Sequence, residues 1–190
     1  MKICGALTWM VCFFFSYPSI ITANLGYIDV AQYLASVIPK SASATPASIS
    51  LIRRMLYLLD LRIEIIALAG IILDSLKPQF VRKWRTELAT ISLWEDGGNK
   101  CEVLALVALG LAIKWIEDSG VSLTASYLSD ISGERFCPRE INVTERLILQ
   151  DIGYGLMSFE AEIPSVVREI EGLEPLDEED MEDFLSLYQG

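Results

Sequence analysis

The chain has 190 residues, of which 52% are hydrophobic, so it is long enough for one packed domain with tails and too apolar for wholesale disorder. Its formal net charge is -11, but the stretch from Glu160 to Gly190 carries eleven acids and one base, which leaves the rest nearly neutral. A nearly neutral body with an acidic tail argues against direct binding of nucleic acid, which needs a basic surface.

The residue types needed for most active sites are missing. The chain has no histidine, which excludes Ser/His and Cys/His nucleophilic dyads and most zinc sites. Its four cysteines are too scattered for a metal ribbon, and glycine-rich phosphate-binding motifs are absent. The adjacent acids Glu117 and Asp118 are expected to be solvated surface. We therefore predict no catalytic residue, no metal site and no cofactor.

Residues 1–26 form a hydrophobic leader. A basic residue at position 2, an apolar middle and the small Ala23 are typical of a secretory signal, while Pro18 and the modest apolar length argue against a membrane span. Two interpretations stay open: a cleaved signal, or a leader that packs on the domain or extends from it.

Secretion would give two other features a role. Asn142, in "NVT", would be a glycosylation acceptor, and Cys101 and Cys137 could form a disulfide. However, Asn142 falls inside a predicted packed helix, which is a poor place for a sugar. A secreted helical protein with a cleaved signal is therefore the alternative prediction.

The first half of the chain predicts three helices. Apolar spacing predicts a helix from Tyr27 to Pro39, and small polar residues up to position 47 predict a linker. The runs "ISLIRRMLYLLDL" and "IEIIALAGIILDSL" predict two further helices, the second ending at Lys77 and Pro78. A polar stretch with a glycine turn follows.

The second half predicts a buried central helix and two others. "LALVALGLAIKWIEDSG" is apolar on nearly every side, which is typical of a helix surrounded by other helices. "SLTASYLSDIS" predicts a short helix closed by Gly133, and "CPREINVTERLILQDIG" one that begins at Pro138 and ends at Gly153. We therefore predict an all-α bundle of five or six helices around one central helix.

Three of these helices carry patterns that resemble a cyclin box. "AIKWIED" is similar to the end of the third cyclin-box helix, which is the buried central one. "TERLILQDIGYGL" is similar to the fifth helix, with Glu145 and Leu149 in register. "EIIALAGIILDSL" is similar to the second, with Glu64 and Asp74 in register. The resemblance covers 48–167 and implies a single, divergent five-helix cyclin box.

The resemblance implies a regulatory subunit that binds a cyclin-dependent kinase, not an enzyme. In cyclins, the lysine that ends helix 3 and the glutamate of helix 5 meet on the kinase-facing surface. Lys114 and Glu145 hold those positions, so Lys114 would bond backbone carbonyls near the kinase's mobile helix and Glu145 would accept from nearby donors. The alternative is a salt bridge that only ties two helices together.

One cyclin feature is missing. The arginine of the first cyclin-box helix, which pairs with the aspartate of the second, is replaced by the stretch "ATPAS". Arg53 or Arg54 could substitute for it, but the spacing does not decide this. We therefore predict no substrate docking through the usual helix-1 surface.

The acidic tail, residues 168–190, interleaves acids with bulky apolar side chains and is expected to have little fixed structure. It resembles a transcriptional activation segment that folds into a coactivator's groove; a merely solvating tail is the alternative. Its apolar residues are Leu176, Met181, Phe184, Leu185, Leu187 and Tyr188.

One cyclin box joined to such a tail resembles the viral cyclins of fish retroviruses. That family implies a nuclear protein that controls the cell cycle or transcription, with partners that include the Mediator-associated kinase and coactivators. A fainter similarity, of "LWEDGGNKCEVLALVALGLA" to the groove helix of Bcl-2-like bundles, lacks that family's arginine after the glycine.

Overall fold

The structure is a computed structural model that describes residues 27–91, 100–117 and 123–172. The leader predicted for residues 1–26 therefore lies outside the described residues, as does most of the acidic tail. The predicted tail residues that lie outside the described residues are Leu176, Met181, Phe184, Leu185, Leu187 and Tyr188.

The described residues form eight α-helices and two short 3-10 helices, and no β-strand occurs among them. The all-α prediction is confirmed. The α-helices are α1 (Tyr27–Val37), α2 (Ile49–Leu59), α3 (Ile63–Asp74), α4 (Pro78–Ala89), α5 (Glu102–Ile116), α6 (Ala125–Ile131), α7 (Pro138–Asp151) and α8 (Ile163–Ile170). The 3-10 helices are Lys40–Ala42 and Leu156–Glu162.

Helix α5 is the centre of the bundle, as predicted. Every residue from Glu102 to Ile113 is buried, and α5 packs against α2, α3, α6 and α7. Helix α3 is nearly as deeply placed, with an unbroken buried run from Ile65 to Leu73. Neither helix has a polar face over these residues, because neighbours cover both on all sides.

Helix α1 packs across α3 at a glycine. A Cβ atom at Gly70 would lie 2.7 Å from Cε1 of Tyr33, so only a residue without a side chain lets the tyrosine ring cross α3 here. Burial raises the pKa of Tyr33 to about 12, and the negative charges of Glu169 and Asp74 act in the same direction. Tyr33 therefore stands where α1, α3 and α8 come together.

The polar stretch predicted after Pro78 is wrong: this segment is helix α4. Pro78 occupies the first turn, and the buried side chains of Phe80, Val81, Trp84 and Leu88 form one face. Charged residues between these positions make the sequence look like solvated chain rather than an amphipathic helix. The described residues between 48 and 167 therefore form six α-helices before α8, one more than the five that the resemblance to a cyclin box implies.

Helix α4 lies along α7 and is held there by polar contacts. Trp84 Nε1 donates to Oγ1 of Thr144 at 3.0 Å, and both groups are buried. Nearer the surface, Arg146 pairs with Glu87 at 2.6 Å, and Lys83 donates to the side chain of Gln150 at 2.9 Å. One buried and two surface contacts therefore hold α4 against α7.

A buried acid at the start of α5 caps α2. Oε1 of Glu102 accepts from the backbone N–H of Ser48 at 2.8 Å, and Ser48 is also the N-cap of α2, accepting from Leu51 N–H. An otherwise orphaned N–H at the helix start is satisfied in this way. Glu102 was not among the residues predicted to matter.

The disulfide considered for a secreted chain is not formed. Cys101 and Cys137 are both free thiols, the first buried at the start of α5 and the second exposed at the start of α7. Burial raises the pKa of Cys101, and the neighbouring charge of Glu102 raises it further. Asn142, the predicted glycosylation acceptor, lies within α7 as expected and is exposed.

The predicted ends of α6 and α7 are confirmed. Gly133 and Gly153 have positive φ angles of 69° and 64°, which suits the glycine that follows a helix. After α7, the N–H of Tyr154 donates to the carbonyl of Leu149 at 2.8 Å, which closes the last turn. Among the described residues, no helix is long and apolar enough to cross a membrane.

Candidate functional site

Lys114 and Glu145 are brought together by the fold. Lys114 is the first exposed residue of α5 after the buried run that ends at Ile113. Its Nζ donates to Oε1 of Glu145, in the middle of α7, at 2.7 Å. The side chains are 38% and 22% exposed respectively, so the pair lies at the surface. The two residues predicted to share one face therefore do so.

The tryptophan next to Lys114 makes a parallel contact. Trp115 Nε1 donates to Oε1 of Glu160 at 2.9 Å, which ties the end of α5 to the 3-10 helix Leu156–Glu162. Although its indole nitrogen is bonded, Trp115 remains 40% exposed. The last turn of α5 is thus anchored on two sides and still presents a large aromatic surface.

A methionine extends this apolar surface. Met157 is 71% exposed and lies three residues before Glu160 in the 3-10 helix. Because a 3-10 helix has three residues per turn, the two side chains project on the same side. We call the set Lys114, Trp115, Glu145, Met157 and Glu160 the α5-end surface.

The α5-end surface offers a cation, two carboxylates, an indole and a thioether. The described part of the chain contains no group of three or more His, Cys, Asp or Glu residues arranged to hold a metal ion. Of the acid pair noted at the end of α5, Glu117 is exposed, whereas Asp118 lies outside the described residues.

The other residues in the cyclin pattern lie on α3 and α7. Glu64 is half-buried in the first turn of α3, and Leu149 is a partly buried side chain packed against the core from α7. Asp74 is exposed at the end of α3, and among the described residues no ion pair links it to Arg53 or Arg54.

Arg54 has a different neighbour. Its guanidinium nitrogens lie 3.2 Å from the point that a Cβ atom on Gly133 would occupy, so it packs over the turn between α6 and α7. The arginine–aspartate pair left open by the sequence is therefore absent between these described residues.

Trp115, Met157 and Glu160 were not predicted as site residues. The tryptophan falls within the quoted pattern "AIKWIED", so an exposed aromatic there was a visible signal. Met157 and Glu160 had none, because their place depends on how the chain turns after Gly153.

The chain was compared with known proteins at three levels. No protein-family profile matches it, no curated protein matches it, and no solved structure matches it.

Proposed function

We propose that this chain is a cyclin-like regulatory subunit that binds a cyclin-dependent kinase through the α5-end surface. The observation that carries the proposal is the Lys114–Glu145 ion pair at the surface end of the central helix. Its two residues are those that the cyclin pattern assigns to kinase contact.

The exposure of the pair favours an intermolecular role. An ion pair at the protein surface contributes about 0 to 1 kcal/mol to folding, so stability gives little reason for its presence. The lysine ammonium has three rotatable donors, and one bond to Glu145 leaves others for backbone carbonyls of a partner. A pre-paired lysine would be held in place before the partner arrives.

The apolar neighbours of the pair favour a protein partner. Trp115 and Met157 place exposed aromatic and thioether groups beside the charges. Interfaces depend on a few large side chains that are enriched in aromatic residues and surrounded by a polar rim. An amphipathic kinase helix would find both kinds of contact on this surface.

Such a subunit would act by shifting the kinase's conformational equilibrium. A kinase is competent when the lysine of its third strand pairs with the glutamate of its mobile helix. A partner that binds the competent state more tightly raises that state's population. A shift from 1:99 to 99:1 needs a difference of about 5.5 kcal/mol in binding free energy between the two states.

The acidic tail would give the complex a second binding function. The proposal assigns residues 168–190 to recruitment of transcription coactivators, which places the protein in the nucleus and favours the Mediator-associated kinase as its partner. The support is the alternation of acids with Leu176, Phe184 and Leu187 in the sequence. The cyclin-box assignment over 48–167 is part of the same proposal.

Direct binding to purified kinases tests the proposal. The full chain is titrated with a panel of cyclin-dependent kinases, including the Mediator-associated kinase, and compared with Lys114→Ala/Glu145→Ala. We expect at least about 30-fold weaker binding by the variant, because truncating a charge pair that becomes buried at an interface costs about 2 kcal/mol or more.

A second ion pair provides the matched control. Glu87 and Arg146 form a surface pair of similar geometry that joins α4 to α7. The variant Glu87→Ala/Arg146→Ala should bind the kinase as the unmodified chain does. Equal affinity of all three proteins would contradict the assignment of the α5-end surface.

A further inference from the structure

A groove lies between α1 and α2, away from the residues of the α5-end surface. It has a volume of about 590 Å³ and opens to solvent. Its walls combine apolar and aromatic side chains with two cations. The lining residues are Tyr27, Ile28, Ser50, Arg53, Arg54 and Tyr57.

Several large hydrophobic side chains are exposed in and beside the groove. Tyr57 is 68% exposed, Ile28 is also exposed, and Ile49 and Leu58 lie nearby on α2. These four are half of the large hydrophobic residues that the described part of the chain exposes. Large apolar side chains exposed in one region are typical of an interaction site.

We propose that this groove binds the chain's own acidic tail, residues 173–190. The tail contains seven acids and no base, so it complements Arg53 and Arg54 in charge. It also carries Leu, Met, Phe and Tyr side chains between the acids, which suit the apolar wall formed by Ile28 and Tyr57. The groove and the tail are thus matched in both charge and hydrophobicity.

The described chain ends close to the groove. Helix α8 packs against α1, and the charge of Glu169 contributes to the raised pKa of Tyr33 on α1. Tyr33 lies six residues, or about 9 Å, along α1 from Tyr27, which lines the groove. The remaining tail, about 60 Å when fully extended, reaches it easily.

Other intramolecular pairings fit less well. The leader, residues 1–26, precedes Tyr27 directly but contains no acid that could pair with the two arginines. The exposed cations Arg82 and Arg85 of α4 attract acids, but no exposed large hydrophobic residue lies on that helix. The α1–α2 groove offers both kinds of contact that the tail requires, with two arginines beside exposed Ile28 and Tyr57.

Attachment to the same chain favours the tail over the same segment of a second molecule. A tethered segment has an effective concentration in the millimolar range, well above a protein solution at micromolar concentration. When the tail is bound, the groove would bury the tail's apolar side chains. A coactivator would then have to compete with the groove for them. The inference goes beyond the proposed function and does not depend on kinase binding.

Limited proteolysis of the full chain tests this directly. A protease that cleaves after glutamate has sites in the tail at Glu178, Glu179 and Glu182, whereas the bond after Glu174 is protected by Pro175. We expect Arg53→Glu and Tyr57→Ser each to speed tail cleavage about tenfold, because cleavage follows the population of the open form. The control is Arg82→Glu, which reverses one exposed helical arginine outside the groove and should leave the rate unchanged.

A measurement on the unmodified chain makes the test independent of how the variants fold. The backbone amide resonances of residues 173–190 should differ between the full chain and a synthetic peptide of that sequence. Identical resonances, or tail cleavage as fast as that of the peptide, would overturn the proposal. Protection that increases with protein concentration would also overturn it, because the occupant would then be a second copy.

Discussion

Nζ of Lys114 lies 2.7 Å from Oε1 of Glu145, so one surface ion pair joins the end of the most buried helix to the middle of α7. Because both side chains are partly exposed, solvent screens their attraction. We expect Lys114→Ala/Glu145→Ala to lower the free energy of unfolding by no more than about 1 kcal/mol.

Urea denaturation followed by circular dichroism measures this change, with Glu87→Ala/Arg146→Ala beside it. The two double variants should unfold at similar urea concentrations. A loss of about 3 kcal/mol or more from the Lys114 variant alone would mean that its pair is buried and structural, and that its effect on kinase binding could not be separated from folding.

The buried contact between Trp84 and Thr144 gives a prediction about α4. Thr144→Val keeps the side-chain shape but removes the acceptor of the indole N–H, which is left unsatisfied in the core. We expect a loss of about 1 to 3 kcal/mol in the free energy of unfolding. The matched control is Thr86→Val, since Thr86 is exposed on α4, the helix that carries Trp84. Equal effects of the two substitutions would mean that α4 does not pack on α7 as described.

Because the pKa of Tyr33 is raised, we expect the free energy of unfolding to fall at alkaline pH. Its pKa is raised from 10.0 to about 12, first by burial and then by the charges of Glu169 and Asp74. The folded chain therefore retains this proton where the unfolded chain loses it. The contribution of Tyr33 to stability is fully present below pH 10 and is lost as the pH rises through about 12.

Thermal unfolding between pH 8 and 12 measures this contribution when the unmodified chain is compared with Tyr33→Phe. The difference in stability between the two proteins should be constant below about pH 10 and should change above it, with the unmodified chain losing more. A difference that stays flat across the whole range would show that the hydroxyl titrates normally.

The acidic tail is predicted to act through its apolar residues. Fused to a DNA-binding domain, residues 169–190 should activate a reporter gene, and Phe184→Ala should reduce the signal more than Glu182→Ala does. The reason is that an activation segment binds its partner by burying bulky side chains, while the acids keep them in water. An inert fusion, with normal expression, would reduce the tail to a solvating role.

The sequence predicted most accurately the helix that is apolar on every side and the helices that end at a glycine. The apolar circumference of the segment that became α5 indicated a buried helix, and burial from Glu102 to Ile113 confirms it. Gly133 and Gly153 predicted the ends of α6 and α7 because few other residues adopt their backbone conformation readily.

The features that the sequence did not predict depend on contacts between distant parts of the chain. The apolar face of α4 is interrupted by charges, and its burial becomes clear only once Trp84 meets Thr144, sixty residues away. Glu102 is a first-turn acid of α5, and only the fold shows that it accepts from the N–H of Ser48, the N-cap of α2 and 54 residues earlier. At the candidate site, the cyclin pattern predicted the proximity of Lys114 and Glu145, but not the contact of Trp115 with Glu160.

The measurement that tests the proposed function most directly is a pulldown of the tagged full chain from cell extract, with captured kinases quantified by mass spectrometry. The account predicts that a cyclin-dependent kinase is captured by the unmodified chain and by Glu87→Ala/Arg146→Ala, and that it is lost with Lys114→Ala/Glu145→Ala. Recovery of a glycosylated chain from the medium with no kinase attached, or equal capture by all three proteins, would contradict it.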